Sequence, residues 1–166
     1  MTEIDINKNI IYLRTDEVSK LVTLFDVLKD NFNEVTLDFL AGGIKILELD
    51  EHQTMLSYIK LDSNKFSKYH SRFTIYKVGI DLIQLHKFFK TIKQNGTTLE
   101  IFINENVRNT IVFETTHNST KSRYTQPLLL IDKPNQMLPL EATFDFCATI
   151  PTNRSSENLQ RNASVF

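Results

Sequence analysis

Apolar residues recur along this chain with two alternating periods. Between Leu21 and Leu28 they follow the i, i+3, i+4, i+7 spacing of an amphipathic helix, and the same spacing returns between Leu85 and Ile92. The segments Val35–Leu40 and Ile44–Leu49 instead alternate apolar and polar residues, which is typical of strands with one buried face. The chain therefore mixes amphipathic helices with half-buried strands.

The two helical segments belong to an internal repeat at an offset of 64 residues. Four helix positions and four strand positions keep the same register, which disfavours a coincidence of helix and strand alternation. The equivalent pairs are Tyr12 and Tyr76, Leu21 and Leu85, Leu24 and Phe88, Phe25 and Phe89, Leu28 and Ile92, Val35 and Leu99, Leu37 and Ile101, and Phe39 and Ile103.

Each half predicts a short strand, a helix and three further strands, or β-α-β-β-β twice. The predicted strands are Ile10–Arg14, Val35–Leu40, Ile44–Leu49, Met55–Leu61, Thr74–Val78, Leu99–Asn104, Asn109–Thr115 and Gln126–Ile131. Two such units form an α+β domain with both helices on one face of the sheets.

Capping and turn residues support these boundaries. Asp81 followed by Gln84 is typical of a helix N-cap, and Asn95-Gly96 is typical of a helix stop. Ala41-Gly42-Gly43 and Glu105-Asn106 predict the hairpin turns of the first and second half.

Composition is that of a globular protein, with 166 residues, 41% hydrophobic, 23% charged and a net charge of −1. The single cysteine, Cys147, excludes a disulfide framework. No apolar run approaches the length of a membrane span, and the acidic N-terminus is unlike a signal peptide. A protein of this charge that contacts nucleic acid must concentrate its cations on one surface.

The outward face of the second helix is such a surface. Lys87 and Lys90 lie opposite its apolar stripe, and no acidic residue occurs between Gln84 and Gln94. The first helix presents Lys20, Thr23, Asp26 and Lys29 and is less basic. Two interpretations remain open here: a solvated helix face, or sequence-independent contact with phosphates.

No catalytic, metal or cofactor site is predicted. The histidines at 52, 70, 86 and 117 have no metal-ligand spacing, and the chain has no phosphate loop or nucleophile elbow. We therefore expect a non-enzymatic protein without a cofactor.

The order and spacing of several segments between residues 9 and 153 resemble the N-terminal domain of the proliferating cell nuclear antigen family. These segments are Val27–Glu34, Gly43–Asp50, Val78–Leu82, Lys87–Lys90, Ile111–Glu114 and Ala148–Pro151. The resemblance implies a DNA clamp fold and the role of a sliding clamp. Such a clamp is a processivity factor that encircles duplex DNA and holds DNA polymerase during replication and repair.

The resemblance also implies three sets of site residues. Helices that line the ring would place Lys20, Lys29, Lys77, Lys87, Lys90 and Lys93 toward double-stranded DNA. A groove for clamp-binding peptides of polymerases and other proteins would include Leu49, Met137, Leu138 and Leu140. The subunit-interface edge of a homotrimer would be the strand formed by Asn109, Thr110, Ile111, Val112, Phe113, Glu114 and Thr115.

The same resemblance divides the chain into four parts. Residues 1–131 form the N-terminal clamp domain, 132–143 the interdomain connector and 144–153 the first strand of an incomplete second clamp domain. Residues 154–166 depart from the family, and we expect an aberrant, disordered tail. A one-base frameshift near the codon for Arg154 would restore the family helix, so a truncated chain is one hypothesis.

Alternative functions stay open at this point. The chain could be a clamp-like checkpoint subunit, a viral transcription factor subunit, or an inactive fragment acting at most as a protein-binding module. Trimeric assembly is in doubt for a truncated chain. The expected location is the nucleus, with a cytoplasmic viral factory as the alternative.

Overall fold

The computed structural model describes residues 8–50, 52, 55–92 and 95–130. All of them belong to the first of two compact units, Met1–Gln136; the second, Met137–Phe166, has no described residue. The strands are β1 (Asn9–Thr15), β2 (Glu34–Leu40), β3 (Gly43–Leu49), β4 (Leu56–Asp62), β5 (Lys68–Ser71), β6 (Ile75–Asp81), β7 (Thr97–Asn104), β8 (Thr110–His117) and β9 (Thr120–Pro127), and the helices are α1 (Val18–Asn31) and α2 (Leu82–Phe89).

The predicted α+β architecture is confirmed, with the unit β-α-β-β-β present twice. The two antiparallel sheets have the strand orders β5-β1-β7-β8-β9 and β4-β3-β2-β6. The first strand of each repeat therefore lies in the sheet of the other repeat, which links the halves through backbone hydrogen bonds. Strand β5 is additional to the repeat and was not predicted.

In the first strands of the two repeats, equivalent residues are separated by one position more than the offset of 64 found in the rest of the repeat. Phe39 pairs with Tyr76, and its equivalent Ile103 pairs with Ile11. Tyr76 is therefore the repeat equivalent of Ile11, and the predicted equivalence of Tyr76 and Tyr12 is wrong. Because strand side chains alternate between faces, a shift of one residue places Tyr12 on the opposite face from Ile11.

Both helices cover the inner faces of the sheets. Helix α1 buries Val18, Leu21, Val22, Phe25 and Leu28, and α2 buries Leu82, Leu85 and Phe89. These residues join one core with the inward residues of both sheets. Complete burial of each large apolar side chain contributes roughly 1.5–3 kcal/mol, so helix packing is a main source of stability.

The start of α2 was predicted correctly, and its end was not. The Asp81 side chain accepts a hydrogen bond from the Gln84 amide at 3.0 Å, as an N-cap does. The helix ends at Phe89, well before Asn95-Gly96. Thr91 and Ile92 donate to the carbonyls three residues earlier, so the chain tightens into a turn after Phe89.

Both predicted hairpin turns are confirmed, at residues 41–42 and 105–106. Strand β9 runs from Thr120 to Pro127, so the strand predicted at Gln126–Ile131 starts too late in the sequence. The segment Thr120–Thr125 is polar and mostly exposed, so it lacks the alternation of apolar and polar residues that predicts a strand. Within the described residues, no helix has the length and apolar character to cross a membrane.

Candidate functional site

Helices α1 and α2 lie side by side and form one continuous surface. The rings of Phe25 and Phe89 meet at 5.6 Å between centroids along the seam between the helices. The outward sides of both helices carry lysines, and we call this side of the molecule the helix surface, with Lys20, Lys29, Lys87 and Lys90 as its predicted cationic residues. The sheets cover the opposite sides of both helices.

The lysines of α2 are more available to a ligand than those of α1. Lys87 and Lys90 are exposed, and neither forms an ion pair within 4.0 Å with another residue that the structure describes. On α1, Lys20 binds Glu17 at 2.7 Å and Lys29 approaches Asp30 at 3.5 Å. The positive potential of the helix surface is therefore greater along α2.

Lys77 is not part of the helix surface. It lies on β6 opposite Asp38 of β2, with its ammonium 3.9 Å from that carboxylate. The inward neighbours Leu37 and Val78 are buried in the core, so Lys77 and Asp38 point to the other face of the sheet. The expectation that Lys77 lies with the helix lysines is wrong, because adjacent strand residues point to opposite faces and Val78 is the one that points to the core. Lys93 lies outside the described residues.

A second surface is apolar and lies on the four-stranded sheet, on the face turned away from the helices. Leu49 pairs with Leu56, and Leu47 pairs with Tyr58. Leu56 and Tyr58 are 41% and 47% exposed, and a cluster of exposed apolar side chains is typical of an interaction site. We call Leu47, Leu49, Leu56 and Tyr58 the apolar patch. The other predicted groove residues, Met137, Leu138 and Leu140, lie outside the described residues.

The strand predicted as an exposed edge is an interior strand, and that prediction was wrong. Strand β8, which contains Thr110–Thr115, is paired with β7 on one side and with β9 on the other. Asn109 precedes it and accepts a hydrogen bond from Leu128. The physical reason is that β9 follows directly through the turn at Asn118-Ser119 and covers β8.

The long free edges of the described unit are β9 and β4. Strand β5 is also an edge but has only four residues, and the edge of β6 is partly covered because Leu129 donates to the Gly79 carbonyl at 2.9 Å. Strands β4 and β9 are the last strands of the two repeats. Each leaves a row of backbone groups available to another strand.

The outer face of the five-stranded sheet is held together by a charge cluster. Glu114 accepts hydrogen bonds from Lys121 at 2.8 Å and from Arg123 at 2.8 and 2.5 Å. Burial alone would raise the pKa of Glu114, but these cationic donors outweigh it and hold that pKa below its usual range. Burial and a hydrogen bond to Glu100 raise the pKa of the nearby Tyr12 phenol.

Sequence reasoning missed one contact on the helix surface. The Nδ1 atom of His86 on α2 lies 2.7 Å from Oδ1 of Asp26 on α1. The two residues are far apart in the sequence, and from the sequence alone His86 is considered only as a possible metal ligand. The sequence indicates that both residues lie on neighbouring helices. Whether their side chains meet depends on the rotation of each helix about its own axis, which the sequence pattern does not fix.

Among the described residues, no group of three His, Cys, Asp or Glu side chains is arranged to hold a metal ion. The features present are a cationic helix pair, an apolar sheet surface and two free strand edges. Together with the duplicated fold unit, they define a clamp-type α+β domain.

The family follows from comparison with known proteins. The model of the proliferating cell nuclear antigen N-terminal domain matches residues 10–136, which is most of the chain. The chain therefore belongs to the proliferating cell nuclear antigen family of sliding clamps.

Individual relatives agree. A probable DNA polymerase sliding clamp 1 from Paramecium bursaria Chlorella virus 1 is 31% identical over 53% of this chain and 33% of its own length. Proliferating cell nuclear antigen 1 of Plasmodium falciparum is 26% identical over 92% of this chain and 56% of its own length. The chain thus spans between a third and just over half of these relatives.

The fold is also that of solved clamps. The crystal structure of a PCNA2–PCNA3 complex from Sulfolobus tokodaii superposes with a TM-score of 0.71 at 22% identity, covering 80% of this chain and 52% of the other. At this identity the match shows the fold alone.

Proposed function

We propose that this chain is the N-terminal part of a sliding clamp that binds duplex DNA without sequence preference and holds DNA polymerase and other proteins on it during replication and repair. The observation that carries the proposal is the pair of adjacent helices whose outward side exposes Lys87 and Lys90 without acidic partners among the described residues. Lys20 and Lys29 extend this surface onto α1.

Lysine contacts with phosphates match the requirements of a protein that moves along DNA. Each ammonium group contributes a point charge and no base readout, so binding depends on salt and not on sequence. On α1, Glu17, Asp26 and Asp30 offset its two lysines. We therefore assign most of the DNA contact of the described unit to α2.

The apolar patch is the proposed site for partner peptides. Leu47, Leu49, Leu56 and Tyr58 form a surface that faces away from the helices, so a partner bound there would not compete with DNA. The family resemblance adds Met137, Leu138 and Leu140 to the proposed peptide-binding residues. Short peptides with apolar side chains match such a groove.

Self-association is proposed to use the free edges β9 and β4. Strand addition between unlike edges is a heterologous contact, which closes into a ring when the rotation between copies permits it. In the described unit, β4 provides the edge at the end of the first repeat and β9 the edge at the end of the second. A homotrimeric ring needs a second clamp domain in each chain, which would supply matching edges.

The proposed clamp is non-enzymatic and acts where DNA is replicated. The nucleus is the proposed location, as for nuclear members of the family. The relative from Paramecium bursaria Chlorella virus 1 keeps a cytoplasmic viral factory as the alternative.

The DNA-binding part is tested by the salt dependence of binding. The chain and its Lys87→Gln/Lys90→Gln variant are titrated onto a fluorescent duplex of 30 base pairs at several salt concentrations. Each lost phosphate contact lowers the slope of log K against log salt by about 0.9, so the double variant should lose about 1.8.

The matched control removes the same charge elsewhere. Lys45→Gln/Lys60→Gln lies on the face of the four-stranded sheet away from the helices and should keep the wild-type slope. Equal slopes for the wild type and the Lys87/Lys90 variant, or no salt-dependent binding at all, would reject the proposed DNA contact.

A further inference from the structure

His86 and Asp26 connect the two helices on the solvent side of their seam. The Nδ1–Oδ1 distance is 2.7 Å, the His86 side chain is 18% exposed and the Asp26 side chain is 45% exposed. The contact is therefore neither buried in the core nor free in solvent. It lies on the helix surface, which the proposed function assigns to DNA.

The chemistry of this contact fixes the position of one proton of the imidazole ring. A carboxylate only accepts hydrogen bonds, so Nδ1 of His86 carries the proton toward Asp26. In a neutral ring, Nε2 is then an acceptor with a lone pair. In a protonated ring, Nε2 becomes an N–H donor.

The second ring nitrogen is accessible to a ligand. Nε2 of His86 forms no hydrogen bond with any residue in the described ranges, and it is absent from the buried polar atoms that lack a partner. The side chain that carries this atom is 18% exposed. A phosphate oxygen, which only accepts hydrogen bonds, would be repelled by the neutral form and bound by the protonated form.

Charges of both signs surround this nitrogen, and the lysines of α2 form no ion pair with another residue that the structure describes. On α2 itself, Lys87 follows His86 directly and Lys90 lies one turn further on. On α1, Asp26 is engaged with His86, and Lys29 and Asp30 occupy the next turn. From the strands packed against α2, the acids that flank the start of the helix are Asp81, whose carboxylate caps Gln84, and Glu34, which pairs with Asp81.

The repeat explains why this position differs from its equivalent. Asp26 and Lys90 are equivalent in the two helices, and so are Val22 and His86. The positions equivalent to Asp26 and His86 are therefore occupied by Lys90 and Val22, two residues that cannot form an ion pair with each other. At this position one half of the helix surface has a lysine, and the other half has an acid that is hydrogen-bonded to a histidine.

We propose that His86 is a further phosphate-contacting residue of the helix surface, oriented by Asp26, which binds the DNA backbone through Nε2–H in its protonated form. This inference rests on the proposed DNA contact through Lys87 and Lys90. It adds one contact that depends on pH to the permanent contacts of the lysines, since imidazole groups change charge between pH 5 and 8.

The test measures the salt dependence of duplex binding at pH 6.0 and pH 8.0 for the wild type, His86→Gln and His86→Lys. One extra phosphate contact steepens the slope of log K against log salt by about 0.9, so the wild-type slope should be steeper at pH 6.0 by up to that amount. His86→Gln should show the shallow slope at both values. His86→Lys should show the steep slope at both.

The matched control is His70→Gln, on β5 beside Tyr12, away from the helices. It should keep the wild-type difference between the two pH values. Circular dichroism melts at each pH separate loss of binding from loss of folding. A role limited to tying α1 to α2 would change the melting temperature of His86→Gln and leave its pH dependence of binding as in the wild type.

The outcomes separate this inference from the proposed function. If binding depends on Lys87 and Lys90 but the wild-type slope is the same at both pH values, or His86→Gln keeps the difference, the role of His86 is rejected and the lysine surface stands. If the Lys87→Gln/Lys90→Gln variant binds as the wild type does, both fail.

Discussion

The aromatic rings of Phe25 and Phe89 contact each other at 5.6 Å between centroids, with their planes inclined by 56°. They are equivalent residues of the two repeats, so each packs against its own counterpart. The contact therefore lies on the approximate two-fold axis that relates the halves. It holds α1 and α2 side by side, and the helix surface depends on that arrangement.

Phe89→Ala should destabilise the protein strongly. The ring is fully buried and also meets Phe113 at 6.0 Å, so its loss leaves a cavity between α2 and β8. We expect the free energy of unfolding in urea to fall by about 3–5 kcal/mol. Ile83→Ala, at an exposed position of the same helix, is the control and should change it by less than about 0.5 kcal/mol. A loss below about 1 kcal/mol for Phe89→Ala would contradict the packing.

Gly43 should tolerate no side chain, in contrast to Gly42. Its φ of +136° disfavours other residues, and an added Cβ would lie 2.0 Å from the Leu61 carbonyl oxygen. Its own carbonyl accepts a hydrogen bond from the Tyr69 hydroxyl at 2.7 Å, which connects the two sheets. Gly43→Ala should therefore lower the stability by at least about 2 kcal/mol.

The control for that substitution is in the same turn. A Cβ at Gly42 would meet nothing within 4 Å, so Gly42→Ala should change the stability by less than about 1 kcal/mol. Thermal denaturation of both variants measures the contrast. Similar melting temperatures for the two would show that the hairpin adopts another conformation.

Acid should remove the stabilisation that Glu114 provides. Because Lys121 and Arg123 hold its pKa below the unfolded value, Glu114 stabilises the fold above the unfolded pKa, and this contribution is lost as pH falls toward the folded pKa. Glu114→Gln lacks the contribution. Its free energy of unfolding should be lower than that of the wild type at pH 7, and the gap should shrink from about pH 5 downward.

Urea denaturation between pH 3 and 7 measures this difference. Glu105→Gln removes one acid whose partner, Arg72, is a surface residue, and it controls for the change in net charge. A gap between wild type and Glu114→Gln that stays constant across this range would exclude an ionic role for the cluster.

Some features of the fold follow from local sequence, and others do not. The helices and the repeat were predictable because Phe25, Phe89 and their neighbours recur at helical spacing, which burial on one face requires. The N-cap at Asp81 was also predictable, because a cap needs only residues three apart. These signals are contained in short windows of sequence.

Strand neighbours and helix rotation depend on contacts between distant residues. The polar strand β9 has no apolar alternation, and its pairing with β8 decides which strand is the edge. Lys77 was misplaced because its orientation depends on the register of β6 against β2. His86 and Asp26 meet only after α1 and α2 have packed. None of these relationships is encoded within one element.

The free edge of β9 leads to the last prediction. The Leu128 amide donates to the Asn109 carbonyl, and in antiparallel strands every second residue hydrogen-bonds to the same neighbour. The backbone N–H and C=O groups of Ser122, Tyr124 and Gln126 therefore point toward β8. The amide of Thr125 then points to the open side. Thr125→Pro should keep the β8–β9 pairing and remove a donor needed for strand addition.

Light scattering after size-exclusion chromatography should find that the wild type and the control Thr125→Ala self-associate as concentration rises, and that Thr125→Pro does so much more weakly. The side-chain change is controlled by the alanine variant, which keeps the amide, so any difference between the two comes from the backbone of β9. Circular dichroism should give similar spectra for all three proteins, because proline at an outward-facing edge position removes no existing hydrogen bond. A proline variant that associates like the wild type, or a wild type that stays monomeric at every concentration, would show that β9 does not join copies of this chain.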